Sequence, residues 1–369
     1  MMGVIDHFGS GGSQRQFIHL MNGLCKKGHK VSIFTYHKSQ SFFEREINKE
    51  RIKVESVEKK KIGWLGVVTS LVREIRQKKP DIVVSFLHIP NLLCECIRLV
   101  AGINFLIVSE RTSRHHDHNF VTRKIRRIFH LCATKVVVNS NDHRTWISDN
   151  FPFLSTRLKC IYNGVEDEFF HVPKLEYSRD KIRFISVGRI DSNKNALVIA
   201  KAMILFVERN GWCPSFDWVG RLGHRDEDER YFRTVDDLIQ SNNKVNASWR
   251  WQKEEKDILS ILKNSHVLIH ASRYEGLPNV ICESLATGRP VIASRVCEHP
   301  KLIGVDGERG FLFDIDDPKS LTIEIERMLA LNEVDWEILS ERCRSFATAN
   351  FGLQRMVDEF NIVMNASNE

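Results

Sequence analysis

Glu275 and Glu283 stand eight positions apart in the run Ser272-Arg-Tyr-Glu275-Gly-Leu-Pro-Asn-Val-Ile-Cys-Glu283-Ser-Leu-Ala-Thr-Gly-Arg-Pro-Val-Ile292. Gly276 and Pro278 punctuate it, and Pro278 falls where the first turn of a helix tolerates proline. Val280, Ile281, Leu285 and Ala286 then recur at helical period. The segment reads as a loop entering a helix, with Glu275 before the N-terminus and Glu283 about a turn inside. Free N–H groups at such an end attract phosphate. Two carboxylates beside them can hold sugar hydroxyls on either side of a bound diphosphate. The competing reading is a loop glutamate and a surface-helix glutamate with no shared task.

Arg189 and Lys194, in Val187-Gly-Arg189-Ile-Asp-Ser-Asn-Lys194-Asn195, form a second set. The planar fork of an arginine and the point charge of a lysine can converge on one diphosphate. They would neutralise a leaving group whose charge grows as its bond to a sugar breaks. The plain alternative is two solvated cations on a loop. A third set is Gly9-Ser-Gly-Gly-Ser13, which follows a short strand and opens a helix. Gly11 and Gly12 permit close backbone approach to a phosphate or sugar. The full Gly-x-Gly-x-x-Gly pattern is broken by Gln14. The next strand ends Thr35-Tyr-His-Lys38, with no acid for a dinucleotide ribose, so nicotinamide binding is disfavoured. Asn163-Gly164 is sufficiently explained as a tight turn and hinge.

These groups need a scaffold, and the pattern supplies one. Short β-like runs alternate with helical stretches, which predicts parallel sheets in an α/β fold. Strands are expected at Val4–Phe8, Val31–Thr35, Ile82–Phe86, Phe105–Ser109 and Lys135–Asn139. Helices fall at about Gln14–Lys27, Trp64–Lys78, Asn91–Ala101 and Asp142–Asn150. The pattern restarts after Val165, with strands at Ile182–Gly188, Ser215–Gly220, Val267–Ala271 and Pro290–Ser294. A helix is expected over Ala196–Asn210, and a last helical stretch over Trp336–Met364.

At 369 residues, two domains are the default. No run of apolar residues is long enough to span a bilayer, and the N-terminus does not read as a signal peptide. Nine cysteines without a Cys-x-x-Cys suggest reduced thiols rather than zinc ligands. The expected location is therefore cytoplasmic.

The net charge of +7 admits nucleic acid, anionic membrane or anionic small molecules as partners. Its excess concentrates between Arg111 and Lys135. There, Phe120–Cys132 has helical period, with Val121, Ile125, Ile128 and Cys132 on one face and the cations largely off it. Such a helix can lie on an anionic leaflet, or pack its apolar face on the core with a solvated basic face. No nucleic-acid module is recognisable, and few aromatics interleave the cations for base stacking. A non-catalytic nucleic-acid-binding protein is the reading that charge alone would support; no nucleic acid is expected.

The Glu-Gly-Leu-Pro-Asn run, the Ala-Thr-Gly-Arg-Pro-Val-Ile tail and the Gly-Arg…Lys-Asn loop together resemble the retaining, nucleotide-sugar-dependent glycosyltransferases of family four. Asn163-Gly164-Val165 matches their interdomain turn. The resemblance implies a GT-B fold of two Rossmann-like domains facing each other across a cleft. It implies an N-terminal acceptor-side domain over 1–165, a nucleotide-sugar domain over 166–345, and a C-terminal helix over 346–369 crossing back to the first. By this likeness Glu275 contacts donor-sugar hydroxyls, Glu283 the ribose, and Arg189 and Lys194 the diphosphate. N–H groups over Gly276, Leu277, Pro278 and Asn279 assist, and Gly11 and Gly12 face the donor.

The family's usual active-site histidine is replaced here by Arg111, in Ser109-Glu110-Arg111-Thr112. Arg111 would then stabilise a phosphate and Glu110 hold an acceptor hydroxyl. His115, His116 and His118 follow closely, and His88 sits at another strand end as an acceptor-side candidate. No metal and no cofactor are implied. The expected activity is sugar transfer from a nucleoside-diphosphate sugar, UDP-linked by preference, to a glycan or polyprenyl-linked acceptor. The implied setting is bacterial surface polysaccharide or glycolipid assembly, peripheral to the inner face of the plasma membrane. A nucleotide-sugar epimerase or hydrolase on the same fold is the alternative.

Overall fold

The computed structural model describes residues 1–111, 120–175, 177, 181–305 and 307–365, with the backbone alone for residues 120–124. The chain divides into two compact units. The first runs Met1–Gly164 and resumes at Leu353; the second is Val165–Gly352.

The first unit holds strands β1 (Met2–Val4), β2 (Ser32–Thr35), β3 (Lys53–Ser56), β4 (Ile82–Phe86), β5 (Phe105–Glu110), β6 (Lys135–Val138) and β7 (Leu158–Cys160). All pair in parallel, in the order β3-β2-β1-β4-β5-β6-β7. The inner strands β4, β5 and β6 are near-continuous apolar runs, as strands covered on both faces require. Its helices are α1 (Gly12–Lys26), α2 (Lys59–Lys78), α3 (His88–Ala101), α4 (Phe120–Phe129) and α5 (Asn141–Asn150). One core joins Phe17, Leu20 and Leu24 of α1 to Phe360 and Val363 of the final helix. The other joins Val67 and Leu71 of α2 to Ile97 of α3 and Ile147 of α5.

The second unit holds β8 (Arg183–Val187), β9 (Ser215–Val219), β10 (Trp249–Gln252), β11 (Val267–His270), β12 (Val291–Ser294) and β13 (Gly310–Phe313). They too are parallel, in the order β10-β9-β8-β11-β12-β13. Helices α6 (Asp167–Phe170), α7 (Ala196–Asn210), α8 (Asp226–Gln240), α9 (Asn243–Ser248), α10 (Ile258–Lys263), α11 (Asn279–Ala286), α12 (His299–Ile303), α13 (Pro318–Leu329) and α14 (Glu333–Phe351) connect or flank them. Phe184, Phe206, Trp218, Phe313 and Ile325 centre its core. In each unit the strand order reverses once, between β1 and β4 and between β8 and β11. Open parallel sheets bind ligands beyond the strand C-termini at such a reversal.

Several expected elements shift. The final helical stretch is two helices, because Gly352 adopts an extended conformation and bridges Val165. The second of them, α15 (Leu353–Asn365), belongs to the first unit and packs on α1. A Cβ on Gly23 of α1 would lie 2.3 Å from Val357, so the small residue sets that approach. The first strand is Met2–Val4 rather than Val4–Phe8, since the backbone turns at Asp6, whose carbonyl accepts the N–H groups of Tyr36 and His37.

Of the two placements open to the Phe120–Cys132 helix, the described part has its apolar row facing outward. Ile125 and Ile128 are exposed, whereas Arg127 is 0% exposed. A buried carboxylate beneath the helix draws the guanidinium inward. The side chain of Val121 lies outside the described residues, as do His115, His116 and His118.

Candidate active site

The loops leaving β8 and β11 meet at the strand-order reversal of the second unit. After Val187 the chain passes through Gly188, whose carbonyl accepts the Trp218 indole N–H at 3.0 Å. A Cβ on Gly220, at the end of β9, would lie 1.9 Å from that same carbonyl, and Gly220 has φ +158°. Only glycine permits this backbone contact. The buried Asp191 carboxylate then accepts the Lys194 N–H at 2.9 Å. Asn195 turns into α7 with φ 60° and donates to Asp316 at 2.8 Å. Asn193 clasps the neighbouring loop: its Oδ1 accepts the Tyr274 N–H at 3.2 Å and its Nδ2 donates to the Tyr274 carbonyl at 3.2 Å.

This clasp places Lys194 Nζ 2.5 Å from Glu275 Oε1. Both side chains are largely withdrawn from water, and charge-assisted pairs strengthen there. Burial alone would raise the Glu275 carboxyl. The Lys194 ammonium and the hydrogen bond from His270 outweigh that and hold it well below the usual carboxylate range. His270, the last residue of β11, lies with Nε2 3.5 Å from Glu275 Oε1 and 3.2 Å from Ser272 Oγ. Burial pushes its own pKa down. Behind it His299 packs edge-on, ring centroids 5.2 Å apart, with Nδ1 2.8 Å from the Ser294 carbonyl. Burial, then the neighbouring His270, lowers His299 to about 3. The carboxylate thus rests on His270, which is backed in turn by His299.

Arg189, by contrast, is 57% exposed, with Nη2 3.4 Å from Asp191. Such a pair contributes little to stability and leaves the guanidinium able to reorient. Gly276, Leu277 and Pro278 are buried, Asn279 is half-buried, and Asn279 opens α11. Ile281 and Cys282 return their N–H groups to the Pro278 carbonyl. Among the described residues, no backbone carbonyl accepts the N–H groups of Gly276, Leu277 or Val280. Glu283 is buried within α11, a helix packed on nearly all sides.

Beside the Arg189 loop lies a pocket of about 320 Å³, floored by Ile190, Leu222, Phe232 and Trp251 and rimmed by Arg221 and Gln252. That is at the small end for ligand clefts, roughly 300–1,000 Å³. Trp251 is fixed by donation to Asp236 at 2.9 Å. Among the described residues, no group of three or more His, Cys, Asp or Glu is placed to hold a metal ion.

In the first unit the corresponding reversal lies between β1 and β4. Gly11 caps α1 and Gly12 begins it; the Gly11 N–H bonds the Gly9 carbonyl at 2.8 Å, and His7 Nδ1 accepts the Gly9 N–H at 2.9 Å. His88 is exposed at the first position of α3, after Leu87, whose φ of 75° is rare for a branched residue. Strain of this kind gathers at functional sites. These glycines and His88 therefore flank the reversal.

Glu110 and Arg111 are both buried at the end of β5. Glu110 is buried beneath α4, accepting Arg127 Nη1 at 2.6 Å, with His130 Nε2 at 2.9 Å and His143 Nε2 at 3.0 Å. His130 continues to Glu95 at 2.5 Å. Burial would raise the Glu110 carboxyl, but Arg127, Arg126 and His130 hold it well below its ordinary range. Its oxygens are committed to this network rather than to an acceptor hydroxyl. Arg111 is equally buried. Its Nε donates to Ser109 Oγ at 2.8 Å, its Nη1 to Asn163 Oδ1 at 2.6 Å, and its guanidinium lies 4.2 Å over the Phe86 ring. Burial lowers its pKa to about 9. Arg111 thus ties β5 to the Asn163 turn through Nε and Nη1, while its buried Nη2 has no hydrogen-bond partner.

Asp191, Asn193, His270, His299 and Trp251 escaped sequence reasoning. The one available signal was position: His270 ends a strand five residues before Glu275, and His299 follows the next strand.

Comparison with known proteins bears on the family and the fold. The family model described as Glycosyl transferases group 1 matches residues 181–331, and that described as Glycosyltransferase Family 4 matches residues 10–169. A Campylobacter jejuni protein named GalNAc-alpha-(1->4)-GalNAc-alpha-(1->3)-diNAcBac-PP-undecaprenol alpha-1,4-N-acetyl-D-galactosaminyltransferase is 25% identical, covering 93% of each chain. The Escherichia coli UDP-Gal:alpha-D-GlcNAc-diphosphoundecaprenol alpha-1,3-galactosyltransferase is 25% identical over 79% of this chain and 76% of its own. Among solved structures, a Rickettsia africae glycosyltransferase superposes with TM-score 0.84 at 19% identity, covering 100% of this chain and 98% of its own. Anabaena HepE in complex with UDP-glucose gives 0.83 at 15%, covering 99% of each. These likenesses show the GT-B fold.

Proposed function

Since the chain belongs to the group 1, family-four glycosyltransferases, we propose that it moves a sugar, with retention of configuration, from a UDP-sugar to a polyprenyl-diphosphate-linked saccharide. The observation that carries this is the Lys194–Glu275 pair at 2.5 Å, built where the two loops clasp. Lys194 is a cation held in place before any donor arrives, and Arg189 is an exposed one free to swing onto the same diphosphate. As the sugar–phosphate bond breaks, negative charge grows on the leaving phosphate, and preorganised cations stabilise that state more than the ground state. Glu275, kept ionised by Lys194 and His270, accepts hydrogen bonds from donor-sugar hydroxyls. The Trp251 pocket suits the flat base, and the N–H groups of Gly276 and Leu277 suit phosphate oxygens.

UDP is favoured as carrier by the UDP-glucose complex of HepE and the UDP-Gal donor in the name of the Escherichia coli relative. The acceptor class follows the undecaprenol-linked saccharides named for both relatives, and their alpha-linked products support retention. The setting is then polysaccharide or glycolipid assembly at the cytoplasmic face of a membrane. No metal is required, because Arg189 and Lys194 supply the countercharge.

The test is incubation with UDP-glucose, UDP-galactose and their N-acetylated forms, with undecaprenyl-diphosphate-linked N-acetylglucosamine, with and without EDTA. The expected product is an alpha-linked disaccharide, by NMR, formed equally in EDTA. A beta-linked product would refute retention. Donor consumed without acceptor would favour the hydrolase alternative.

A further inference from the structure

Helix α11 turns its N-terminus to the candidate site, and two arginines hold its other end. Thr287 follows the helix, and its carbonyl accepts Arg289 Nη1 and, at 3.0 Å, Arg344 Nη2. Arg289 is 3% exposed. It also donates to the carbonyls of Ser265 at 3.4 Å, Pro173 at 3.2 Å and Lys263 at 3.2 Å. Arg344, half-buried on α14, donates to the carbonyls of Phe170 at 3.0 Å and Val172. Gly288 leaves room for this pair: it has φ +76°, and a Cβ there would lie 2.7 Å from Arg344 Nε. All of these acceptors are neutral. Among the described residues, no carboxylate pairs with either guanidinium; Glu341, on the preceding turn of α14, lies 3.7 Å from Lys174 Nζ instead.

Buried cations are ordinarily paired, because neutral acceptors return only part of the cost of leaving water. The carbonyl end of a helix carries about half a negative charge. Two guanidinium groups exceed that, so a surplus of positive charge is fixed behind α11. Burial, then the neighbouring Arg344, lowers Arg289 to about 10, which leaves it protonated at neutral pH. The 8 residues of α11 put its ends ~12 Å apart, and Ile281, Cys282, Leu285 and Ala286 between them are fully buried. At an effective dielectric of about 20, unit charges ~12 Å apart change an affinity by roughly tenfold. Water around half-buried Arg344 reduces this to roughly threefold for each ligand charge.

We propose that Arg344 and Arg289 are positioning residues for the donor diphosphate, acting through α11. They seat the helix from its carbonyl end and raise the positive potential at its N–H end, so that affinity grades with the number of phosphates on the ligand. The same groups fasten Phe170, Val172, Pro173 and α14 to α11. A purely structural clasp would instead weaken charged and uncharged ligands alike. The inference rests on the donor-site reading above and lies wholly within the second unit.

Dissociation constants for uridine, UMP and UDP are measured by ligand-observed NMR at low salt on full-length wild type, Arg344→Gln and Arg344→Lys. Arg344→Gln should hold uridine within about twofold of wild type, weaken UMP about threefold and UDP about tenfold. Arg344→Lys keeps the charge without the fork and should recover most of the UDP affinity. Melting without ligand checks that each variant is folded. If Arg344→Gln is not, Arg344→Lys decides alone, because a charge role requires it to bind UDP near the wild-type level. Arg344→Gln that weakens all three ligands equally, or none, overturns the proposal, as does Arg344→Lys as weak as Arg344→Gln. Wild type that binds none of the three removes the donor-site reading and this inference with it. Wild type that binds UDP, with no charge-graded loss in Arg344→Gln, removes this inference alone.

Discussion

Removing the Lys194 ammonium separates the two tasks of this side chain, because structure and chemistry respond with different signs to a second change. In Lys194→Ala, Glu275 keeps its buried surroundings and loses the cation 2.5 Å away. Breaking a buried ion pair on one side costs about 3–5 kcal/mol; with a fifth of each side chain still in water, the low end, about 3 kcal/mol, applies. The lost contact to the leaving phosphate is worth about 3 kcal/mol in the transition state, a fall of roughly 100–1,000-fold in kcat. The double variant Lys194→Ala, Glu275→Gln replaces the stranded carboxylate with a neutral amide. It should regain most of the stability and none of the turnover.

The stability deficit of Lys194→Ala also depends on pH. The Glu275 pKa lies below its unfolded value, so its pairing stabilises the fold above that value and the benefit is lost as pH falls through the folded pKa. The single variant should therefore approach wild type in strongly acidic buffer. Urea unfolding at several pH values, sugar transfer to the undecaprenyl-linked acceptor, and UDP-induced melting shifts measure the three parts. Near-wild-type turnover in Lys194→Ala would refute the catalytic argument. A double variant less stable than the single would refute the electrostatic one.

Further outcomes follow from other contacts. Glu110→Gln removes the buried carboxylate that Arg127 and His130 share, leaving His130 paired with Glu95 alone, and should cost about 3–5 kcal/mol in urea unfolding, while UDP binding by the folded protein is retained. His299 stays neutral in the fold down to about pH 3, so the unfolded chain takes up the extra proton below its ordinary pKa of 6.5. Stability should fall by up to about 1.4 kcal/mol per pH unit from pH 6 towards 4, and His299→Asn should flatten that slope. Trp251→Ala removes the flat wall of the pocket and should raise the UDP dissociation constant by an amount equivalent to about 1–3 kcal/mol in calorimetry; an unchanged constant would place the base elsewhere.

The sequence by itself determined the parallel α/β class, the inner strands and the two loops of the candidate site. Short β-branched runs such as those of β4 and β6 read as strands covered on both faces. Gly-Arg…Lys-Asn and Glu-Gly-Leu-Pro-Asn carry their chemistry in adjacent positions. Four strands were not legible: β3, β7, β10 and β13. All four are sheet edges of three or four residues, too short for a periodic signal. The surroundings of Glu110 and Arg111 were not legible for a different reason. Both are charged residues at a strand end, where exposure is the ordinary expectation, and only packing shows that partners from four helices and turns enclose them.

The face of the Phe120–Cys132 helix was likewise set by its surroundings. Periodicity identifies an apolar row but not the side the core lies on, and Glu110 pulled Arg127 inward. The two histidines behind Glu275 depend on strand order. His270 and His299 are 29 positions apart and meet only because β11 and β12 are neighbours in the sheet. Local sequence fixes which groups can do chemistry. Their charge state, partners and accessibility are properties of the burial and long-range contacts that only the tertiary structure supplies.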